Sequence, residues 1–369
     1  MDNNLGPQDE LVSSPIPEHS APPPKKGPKF FSCFLISAII LSILGLFMII
    51  IIGLVALAIV DFDDDTAEQQ LTIDGQRFEQ VRISGDSSDN KILLIPCNGI
   101  IVGRAPDSFG ASSYLSADYI CSLLEQAAKD DNVKAVILRI DSPGGEVVAA
   151  DRIYRAVLAV RKAGVPVVAQ MESLAASGGY YVAVGCDYII AHPMTTTGSI
   201  GVIMSTFKYY DLMQKIGVRA ENYTSGNMKD MLSGTRPTSP EEKQLVQQHI
   251  DRVYDQFVQI VADGRKKQGL TVEKIKNSII GDGRVFLGSQ ALELKLVDAL
   301  GYNIDAEKKA AELAGIEDYQ VVSLRRGFSL RNFLFEAFGS SRQVDVRLPG
   351  GNSLSLEAGK LYFLPAFNQ

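Results

Sequence analysis

An uninterrupted apolar segment lies near the start of the chain. Residues 30–60, FFSCFLISAIILSILGLFMIIIIGLVALAIV, contain neither a charged side chain nor a polar stripe. About 20 apolar residues are enough for a helix to cross a bilayer, whereas an amphipathic soluble helix shows a polar face. The segment is also longer than the apolar region of a cleavable signal peptide. We therefore expect one transmembrane helix over residues 30–60.

The flanks of this segment predict its orientation. Lys25, Lys26 and Lys29 precede it, and four aspartates follow it within residues 61–65. Because lysine-rich flanks stay on the cytoplasmic side, we expect a single-pass protein of the cell membrane with a cytoplasmic N-terminus and the rest of the chain outside the cytoplasm. Residues 1–29 hold seven of the sixteen prolines and are expected to form a disordered tail.

Short apolar runs alternate with helical spacings after a polar connector over residues 61–89. The pattern predicts strands at 91–101, 133–140, 165–171 and 187–192, and helices at Ser113–Lys129, Ala149–Arg161 and Ser177–Val184. Continuous apolar strands separated by helices are typical of an α/β fold whose mainly parallel sheet is covered on both faces. Ligand sites in such sheets gather at the carboxyl ends of the strands.

The last part of the chain is less regular. A further strand is predicted at Arg219–Tyr223 and a long helix at Pro240–Lys267. Ser239 before this helix and Glu242 three residues later form a predicted capping box. Residues 326–369 show no clear organisation. The predicted domain therefore covers residues 90–325, followed by an extension of unclear role.

Composition excludes several classes of function. The 369 residues carry a net charge of −7, and no basic block is present, which argues against nucleic-acid binding. The four cysteines lie far apart and form neither a disulfide framework nor a zinc motif. Neither glycine-rich junction of the chain matches a phosphate-binding loop. We therefore expect no metal, nucleotide or other cofactor.

Two glycine-rich junctions follow predicted strands. The first is Ser142-Pro143-Gly144-Gly145 and the second contains Ser177-Gly178-Gly179. A serine in the first turn of a helix, between small residues, is placed as a nucleophile would be, and N–H groups there stabilise negative charge. The alternative is a pair of tight turns in which Ser177 only caps a helix.

A nucleophilic Ser177 needs a base. Histidine is the usual one, but His19 lies in the tail and His249 lies inside the predicted long helix. His192 ends a strand and is the only histidine that could reach the site. Lys229, beside apolar residues, is the other candidate, because burial can make a lysine neutral near physiological pH. Most lysines are solvated surface groups, so the residues alone leave this choice open.

Five segments carry a resemblance to a known family. They are IDSPGG (140–145), ESLAASGGYY (172–181), MTTTGSIGV (194–202), YTSGNMKDMLS (223–233) and GRVFLGSQALELKLVDALG (283–301). In order and spacing, over about residues 90–325, they resemble the SppA-type signal peptide peptidases, which are membrane-anchored serine proteases that degrade cleaved signal peptides. The resemblance implies a crotonase/ClpP-like fold and a serine endopeptidase acting on signal-peptide remnants and similar apolar peptides.

The resemblance also implies roles for particular residues. The family's Ser/Lys dyad falls on Ser177 and Lys229, which favours lysine over histidine as the base. The oxyanion-hole donor falls on Gly144 and Gly145, and the N–H of Gly178 is expected to join them.

Ser199 falls where a hydroxyl can hydrogen-bond the dyad lysine. Long members of the family carry two copies of the fold, whereas this chain has one, like the short form. In the short form, protomers assemble into a ring, and neighbouring subunits supply the serine and the lysine of one site. We therefore expect a homo-oligomeric ring beside the lipid bilayer.

The competing hypothesis is a non-proteolytic scaffold or acyl-transfer relative on the same fold, since the fold alone does not define chemistry.

Overall fold

A computed structural model of the chain describes residues 29–61, 70–73, 76–105, 113–326 and 362–363. The chain divides into two compact units, Met1–Ala67 and Glu68–Gln369. The predicted Pro-rich tail lies outside the described residues except for Lys29. The same holds for parts of the connector and for most of the C-terminal extension.

One helix, α1, covers Lys29–Asp61 in the first unit and coincides with the long apolar segment. Between residues 37 and 53, where its side chains are described, they are exposed. Within the described ranges, no helix is both long enough and apolar enough to cross a membrane.

The second unit contains the remaining elements. Its strands are β1 Gln70–Ile73, β2 Gln76–Gly85, β3 Lys91–Asn98, β4 Ile100–Val102, β5 Tyr114–Ser116, β6 Val133–Ser142, β7 Gly145–Glu146, β8 Val167–Ala176, β9 Tyr188–Ala191, β10 Thr196–Gly198, β11 Val285–Leu287, β12 Ala299–Leu300, β13 Gln320–Arg326 and β14 Tyr362–Phe363. Its helices are α2 Ala117–Ala127, α3 Val147–Lys162, α4 Gly178–Ala183, α5 Tyr210–Lys215, α6 Pro240–Gly264, α7 Val272–Lys276, α8 Gly288–Glu293 and α9 Asn303–Ala314, with 3-10 turns at Lys266–Gln268 and Ile279–Gly281.

The main sheet is mostly parallel. Its order is β1-β2-β13-β3-β6-β8-β10-β11, with β9 also paired to β8 and β12 paired to β9. The pairs from β13 to β10 and those of β9 are parallel, whereas β1, β2 and β11 join antiparallel. A second sheet of order β14-β7-β4-β5 lies in the same unit. The predicted α/β fold with a mainly parallel sheet is confirmed.

Alternate residues of the central strands enter two different apolar layers. In β3, Leu93 and Ile95 belong to the larger core, which includes the buried faces of α2, α3, α4 and α6. Ile92 and Leu94 belong to the smaller core, to which α9 contributes three alanines. This alternation follows from the two-residue period of a strand. Both faces of the sheet are therefore covered, as the continuous apolar strands predicted.

Several predicted boundaries move for identifiable reasons. The strand expected over 91–101 is two strands, because the chain turns at Gly99, whose φ is +92°. The helix expected from Ser113 starts at Ala117, since Ser116 caps it by accepting a hydrogen bond from the N–H of Tyr119. The strand expected at 165–171 continues to Ala176.

Two expectations in the last part of the chain are wrong. The strand predicted at Arg219–Tyr223 does not form, and the described backbone there is irregular, exposed and without a strand partner. The long helix ends at Gly264 instead of Lys267, and the chain continues into the 3-10 turn Lys266–Gln268. Gly264 lies close to the end of α4, since a Cβ there would lie 2.4 Å from the carbonyl oxygen of Val184. Its start, however, has the predicted capping box of Ser239 and Glu242.

Candidate active site

Ser177 stands at the junction between β8 and α4. Its φ of 53° and ψ of −114° lie in a region that residues with a side chain rarely adopt. The backbone is held on both sides, since the Ser177 N–H donates to the carbonyl of Gly198 at 2.8 Å and its own carbonyl accepts from the N–H of Tyr181 at 2.8 Å. Strained backbone of this kind costs about 1–3 kcal/mol and clusters at active sites.

The Ser177 hydroxyl is buried without a partner. The residue is fully inaccessible, and among the described residues its Oγ makes no hydrogen bond. It also makes no capping hydrogen bond to α4, which argues against the interpretation that Ser177 only caps a helix. A buried polar group left unpaired costs about 1–3 kcal/mol. Within the described part of the chain, no structural hydrogen bond therefore accounts for the burial of this oxygen.

Ser199 lies beside Ser177 at the end of the neighbouring strand. β8 and β10 run parallel with Ala176 opposite Gly198, so the residues that follow them end at the same edge of the sheet. Ser199 also has a positive φ, 51°, and its N–H donates to the carbonyl of Arg284 at 2.8 Å. The structure thus brings these two predicted site residues together.

The first glycine-rich junction closes around the same edge. Gly144 has a φ of +103°; its carbonyl accepts from the N–H of Ile101 at 2.8 Å and its N–H donates to the Ser142 Oγ at 3.1 Å. A Cβ at Gly145 would lie 2.0 Å from the carbonyl oxygen of Ile101, and one at Gly179 would lie 2.8 Å from that of Ser142. Only glycine permits these approaches, which bring β7 against β4 and α4 against the end of β6.

Two polar side chains that the sequence analysis did not single out, the partly buried Asp141 and the buried Thr197, hold the strand before Ser177. The Asp141 carboxylate accepts from the N–H of Leu174 at 3.0 Å. The Thr197 hydroxyl donates to the carbonyl of Ala175 at 2.6 Å. Both residues lie inside segments that carry the family resemblance, IDSPGG and MTTTGSIGV. That position is the sequence feature that could have identified them. Their contacts fix the end of β8 and thereby the orientation of the serine.

Lys229 is not brought to Ser177 within one chain. It lies in a turn in which its N–H donates to the carbonyl of Gly226 at 3.0 Å, and the residue is exposed. Within the part of the chain that the structure describes, it makes no side-chain hydrogen bond or ion pair, and the Ser177 Oγ has no partner. A Ser/Lys dyad therefore does not form in the isolated protomer.

His192, the alternative base, is engaged elsewhere. Its Nδ1 accepts from the N–H of Met194 at 3.1 Å, and its ring packs edge-on against Tyr302 with centroids 5.1 Å apart. It lines a cavity of about 330 Å³ together with Glu172 and Tyr302, and Ser177 is not part of the lining. This placement argues against a Ser–His pair.

Cysteine and metal chemistry have little support in the described ranges. Burial raises the pKa of the Cys97 thiol to about 12 and also raises that of Cys186, so both thiols are protonated and unreactive. Among the described residues, no group of three or more His, Cys, Asp or Glu side chains is arranged to hold a metal ion.

Comparison with known proteins gives consistent matches. Residues 159–317 match peptidase family S49, a range that contains Ser177, Ser199 and Lys229 but not Gly144 and Gly145. A candidate signal peptide peptidase SppA from Enterococcus faecium is 35% identical over 237 residues, which cover 63% of this chain and 67% of that protein. A candidate protease from Synechocystis sp. is 44% identical over 196 residues, covering 53% and 69%.

A plant protein matches over a longer stretch. The chloroplastic serine protease SPPA of Arabidopsis thaliana is 31% identical over 287 residues, which cover 76% of this chain and 42% of that protein. These similarities favour a peptidase over the non-proteolytic alternative.

Proposed function

This chain belongs to peptidase family S49 and is a serine-type peptidase of the SppA type, and on that basis we propose that Ser177 is its nucleophile and Lys229 its general base. The observation that carries the proposal is the state of Ser177, which has a positive φ and a buried, unpaired Oγ. Backbone strain and an unpaired buried hydroxyl both lower the stability of the fold. Their presence at one residue is typical of a functional site.

The proposed reaction is peptide-bond hydrolysis in two steps. Ser177 Oγ attacks the peptide carbonyl while the neutral amine of Lys229 takes its proton. The lysine then gives that proton to the leaving amine, and water hydrolyses the acyl-enzyme with the same amine as base. Ser199, whose N–H is fixed to Arg284, would direct its hydroxyl towards the amine and orient it.

Backbone N–H groups would stabilise the oxyanion. Gly144, Gly145 and Gly178 are the candidates, and the N–H of Gly144 already donates to the Ser142 Oγ. Gly178 is therefore a better donor than Gly144, because it is the first residue of α4, where N–H groups have no partner inside the helix. Gly145 is retained as a candidate on the family resemblance. Removing one such donor from an enzyme costs about 3–4 kcal/mol of transition-state stabilisation.

The position of Lys229 supports a site shared between subunits. The segment that carries it, residues 203–236, exposes large apolar side chains, among them Phe207 at 81%, Ile216 at 65% and Tyr223 at 89%. Large apolar side chains exposed along one segment are typical of an interaction surface. We place a second copy of this chain on it, so that a homo-oligomeric ring pairs the Lys229 of one protomer with the Ser177 of its neighbour.

Substrate and location are also part of the proposal. The charge-free segment at residues 30–60 and its lysine-rich N-terminal flank support a single membrane anchor with the peptidase unit outside the cytoplasm. A peptidase tethered in this way is close to signal-peptide remnants and similar apolar, membrane-bound peptides. These are the proposed substrates.

The first test is hydrolysis of a fluorogenic peptide with an apolar residue before the scissile bond. The full chain is compared with Ser177→Ala, Lys229→Ala and His192→Ala between pH 6 and 10. We expect the first two variants to lose at least about 10³-fold in kcat/KM and the third to retain activity. Activity that survives Lys229→Ala and disappears in His192→Ala would replace lysine by histidine as the base.

Mixing two inactive variants tests the shared site. In rings assembled from equal amounts of Ser177→Ala and Lys229→Ala protomers, roughly a quarter of the sites regain both residues if neighbours supply them. No recovery in rings that have demonstrably mixed would mean that each site belongs to one chain.

A further inference from the structure

A cluster of charged side chains ties the residue after Lys229 to the start of α6. The guanidinium of Arg236 donates to both carboxylate oxygens of Asp230, from Nη2 to Oδ1 at 2.6 Å and from Nε to Oδ2 at 3.0 Å. The same guanidinium binds Glu242, from Nη1 to Oε2 at 3.2 Å and from Nη2 to Oε1. One planar group with five N–H donors thus bridges two acids.

The Glu242 end of the cluster is fixed. Glu242 is 1% exposed, and its carboxylate also accepts from the N–H of Ser239 at 2.9 Å as part of the α6 capping box. The α6 end of the bridge therefore belongs to the regular fold. The Asp230 end belongs to the turn that carries the proposed base, so the guanidinium transmits the position of the helix to that turn.

The Lys229 turn, residues 225–233, is held at its other end as well. The Thr206 hydroxyl donates to the carbonyl of Leu232 at 3.0 Å, and the Lys208 Nζ donates to the carbonyl of Ser233 at 2.6 Å. Leu232 has a φ of +66°, which a leucine adopts only when its surroundings impose it. Although it is exposed, this turn is held in one conformation, and Arg236 connects it to α6.

We propose that Arg236 is a positioning residue for the reaction: it fixes the Lys229 turn on α6, and by occupying both oxygens of Asp230 it keeps that carboxylate from pairing with the adjacent Lys229. This inference rests on the proposed role of Lys229 as the base. A lysine ammonium paired with a neighbouring carboxylate stays charged and cannot accept a proton. Among the residues that the structure describes, the one other side chain that hydrogen-bonds the Asp230 carboxylate is that of Asn222, whose amide lies 3.5 Å away. Removing the guanidinium would therefore leave a negative charge without a cationic partner one residue from Lys229.

The test uses the full chain in the peptide assay, with kcat and KM measured from pH 6 to 10. Arg236→Met keeps the length of the side chain and removes the charge. We expect kcat to fall about 10- to 100-fold with KM within about twofold, because the base is misplaced while substrate contacts remain. The limb over which activity rises with pH should move upward by about one pH unit.

A second substitution separates position from charge. In Arg236→Met/Asp230→Asn the unpaired negative charge is gone, so the rising limb should return to its wild-type pH while kcat stays low. Asp230→Asn alone should lower kcat about 3- to 10-fold without the upward shift, and it serves as the test if Arg236→Met does not fold. Arg236→Lys should recover part of kcat, since it restores a cation without the fork geometry.

Arg152→Met is the matched control. Arg152 Nη2 on α3 lies 2.7 Å from Asp118 Oδ1 on α2 in another Arg–Asp pair, and its loss should leave kcat and the pH profile unchanged. A folded Arg236→Met with wild-type kcat and profile overturns the inference, and so does an upward shift that persists in the double variant. If Lys229→Ala itself stays active, the proposed base is wrong, and that result is independent of Arg236.

Discussion

Arg265 and Asp298 form an ion pair in the interior of the second unit, and we predict that Arg265→Met destabilises the protein strongly. The guanidinium binds both Asp298 oxygens at 2.9 Å and the carbonyl of Lys295 at 2.9 Å. Asp298 also accepts from the Gln268 amide at 2.7 Å and from the N–H of Ile189 at 2.8 Å. The pair therefore joins the end of α6, β9 and the chain before β12.

The expected magnitude follows from burial. The two side chains are 2% and 10% exposed, and removing one partner of a buried pair typically costs about 3–5 kcal/mol, because the other charge stays buried without compensation. This is a large part of the 5–15 kcal/mol, roughly, that stabilises a domain. Arg265→Met/Asp298→Asn should recover about 1–2 kcal/mol of that loss, since the amide oxygen still accepts from the backbone and carries no charge.

Urea unfolding of the full chain, followed by circular dichroism, measures these differences. Arg152→Met is again the control, because its pair with Asp118 is 2.7 Å long but its side chains are 46% and 39% exposed. An exposed pair contributes at most about 1 kcal/mol. If Arg265→Met were no less stable than Arg152→Met, the argument from burial would be refuted. A double variant less stable than Arg265→Met would refute the argument from uncompensated charge.

Three further outcomes are expected. Gly145→Ala should abolish peptide hydrolysis because its Cβ would lie 2.0 Å from a carbonyl oxygen of β4, whereas Gly103→Ala, whose Cβ would meet nothing closer than 3.7 Å, should remain active. Iodoacetamide at pH 8 should leave Cys97 unmodified in the native protein and alkylate it after denaturation, as peptide mass mapping would detect, because burial raises its pKa to about 12. Arg236 lowers the pKa of Asp230 to about 2, below its unfolded value of about 4, so the stability that Asp230 contributes is present above pH 4 and lost between pH 4 and 2. The difference in unfolding between wild type and Asp230→Asn should therefore vanish over that window.

The main sheet could be predicted from the sequence because its signals are local. Strands buried on both faces appear as continuous apolar runs, as in β3 and β6, and the capping box of Ser239 and Glu242 is encoded in four residues. The second sheet escaped prediction. Its strands have two or three residues each, and pairings such as that of β7 with β4 depend on close approach at Gly145, a property of the assembled fold.

The candidate site was predictable in part for the same reason. The junction that carries Ser177 is marked by its glycines, and Ser199 follows the adjacent strand, so a parallel sheet brings them together. The Arg236 bridge depends on side chains brought together by the irregular backbone between the Lys229 turn and α6. No periodicity encodes an irregular path of this kind, and the strand predicted nearby at Arg219–Tyr223 does not form.

The positive φ of Ser177, the proposed nucleophile, limits which side chains could replace it in that role. A threonine hydroxyl is chemically equivalent to that of serine, and threonine serves as a nucleophile in other hydrolases. At a φ of 53°, however, a β-branched side chain clashes with its own backbone, whereas an unbranched one is tolerated. Exchange of serine for threonine is therefore excluded here by the backbone, and cysteine is the replacement that the same conformation can accept.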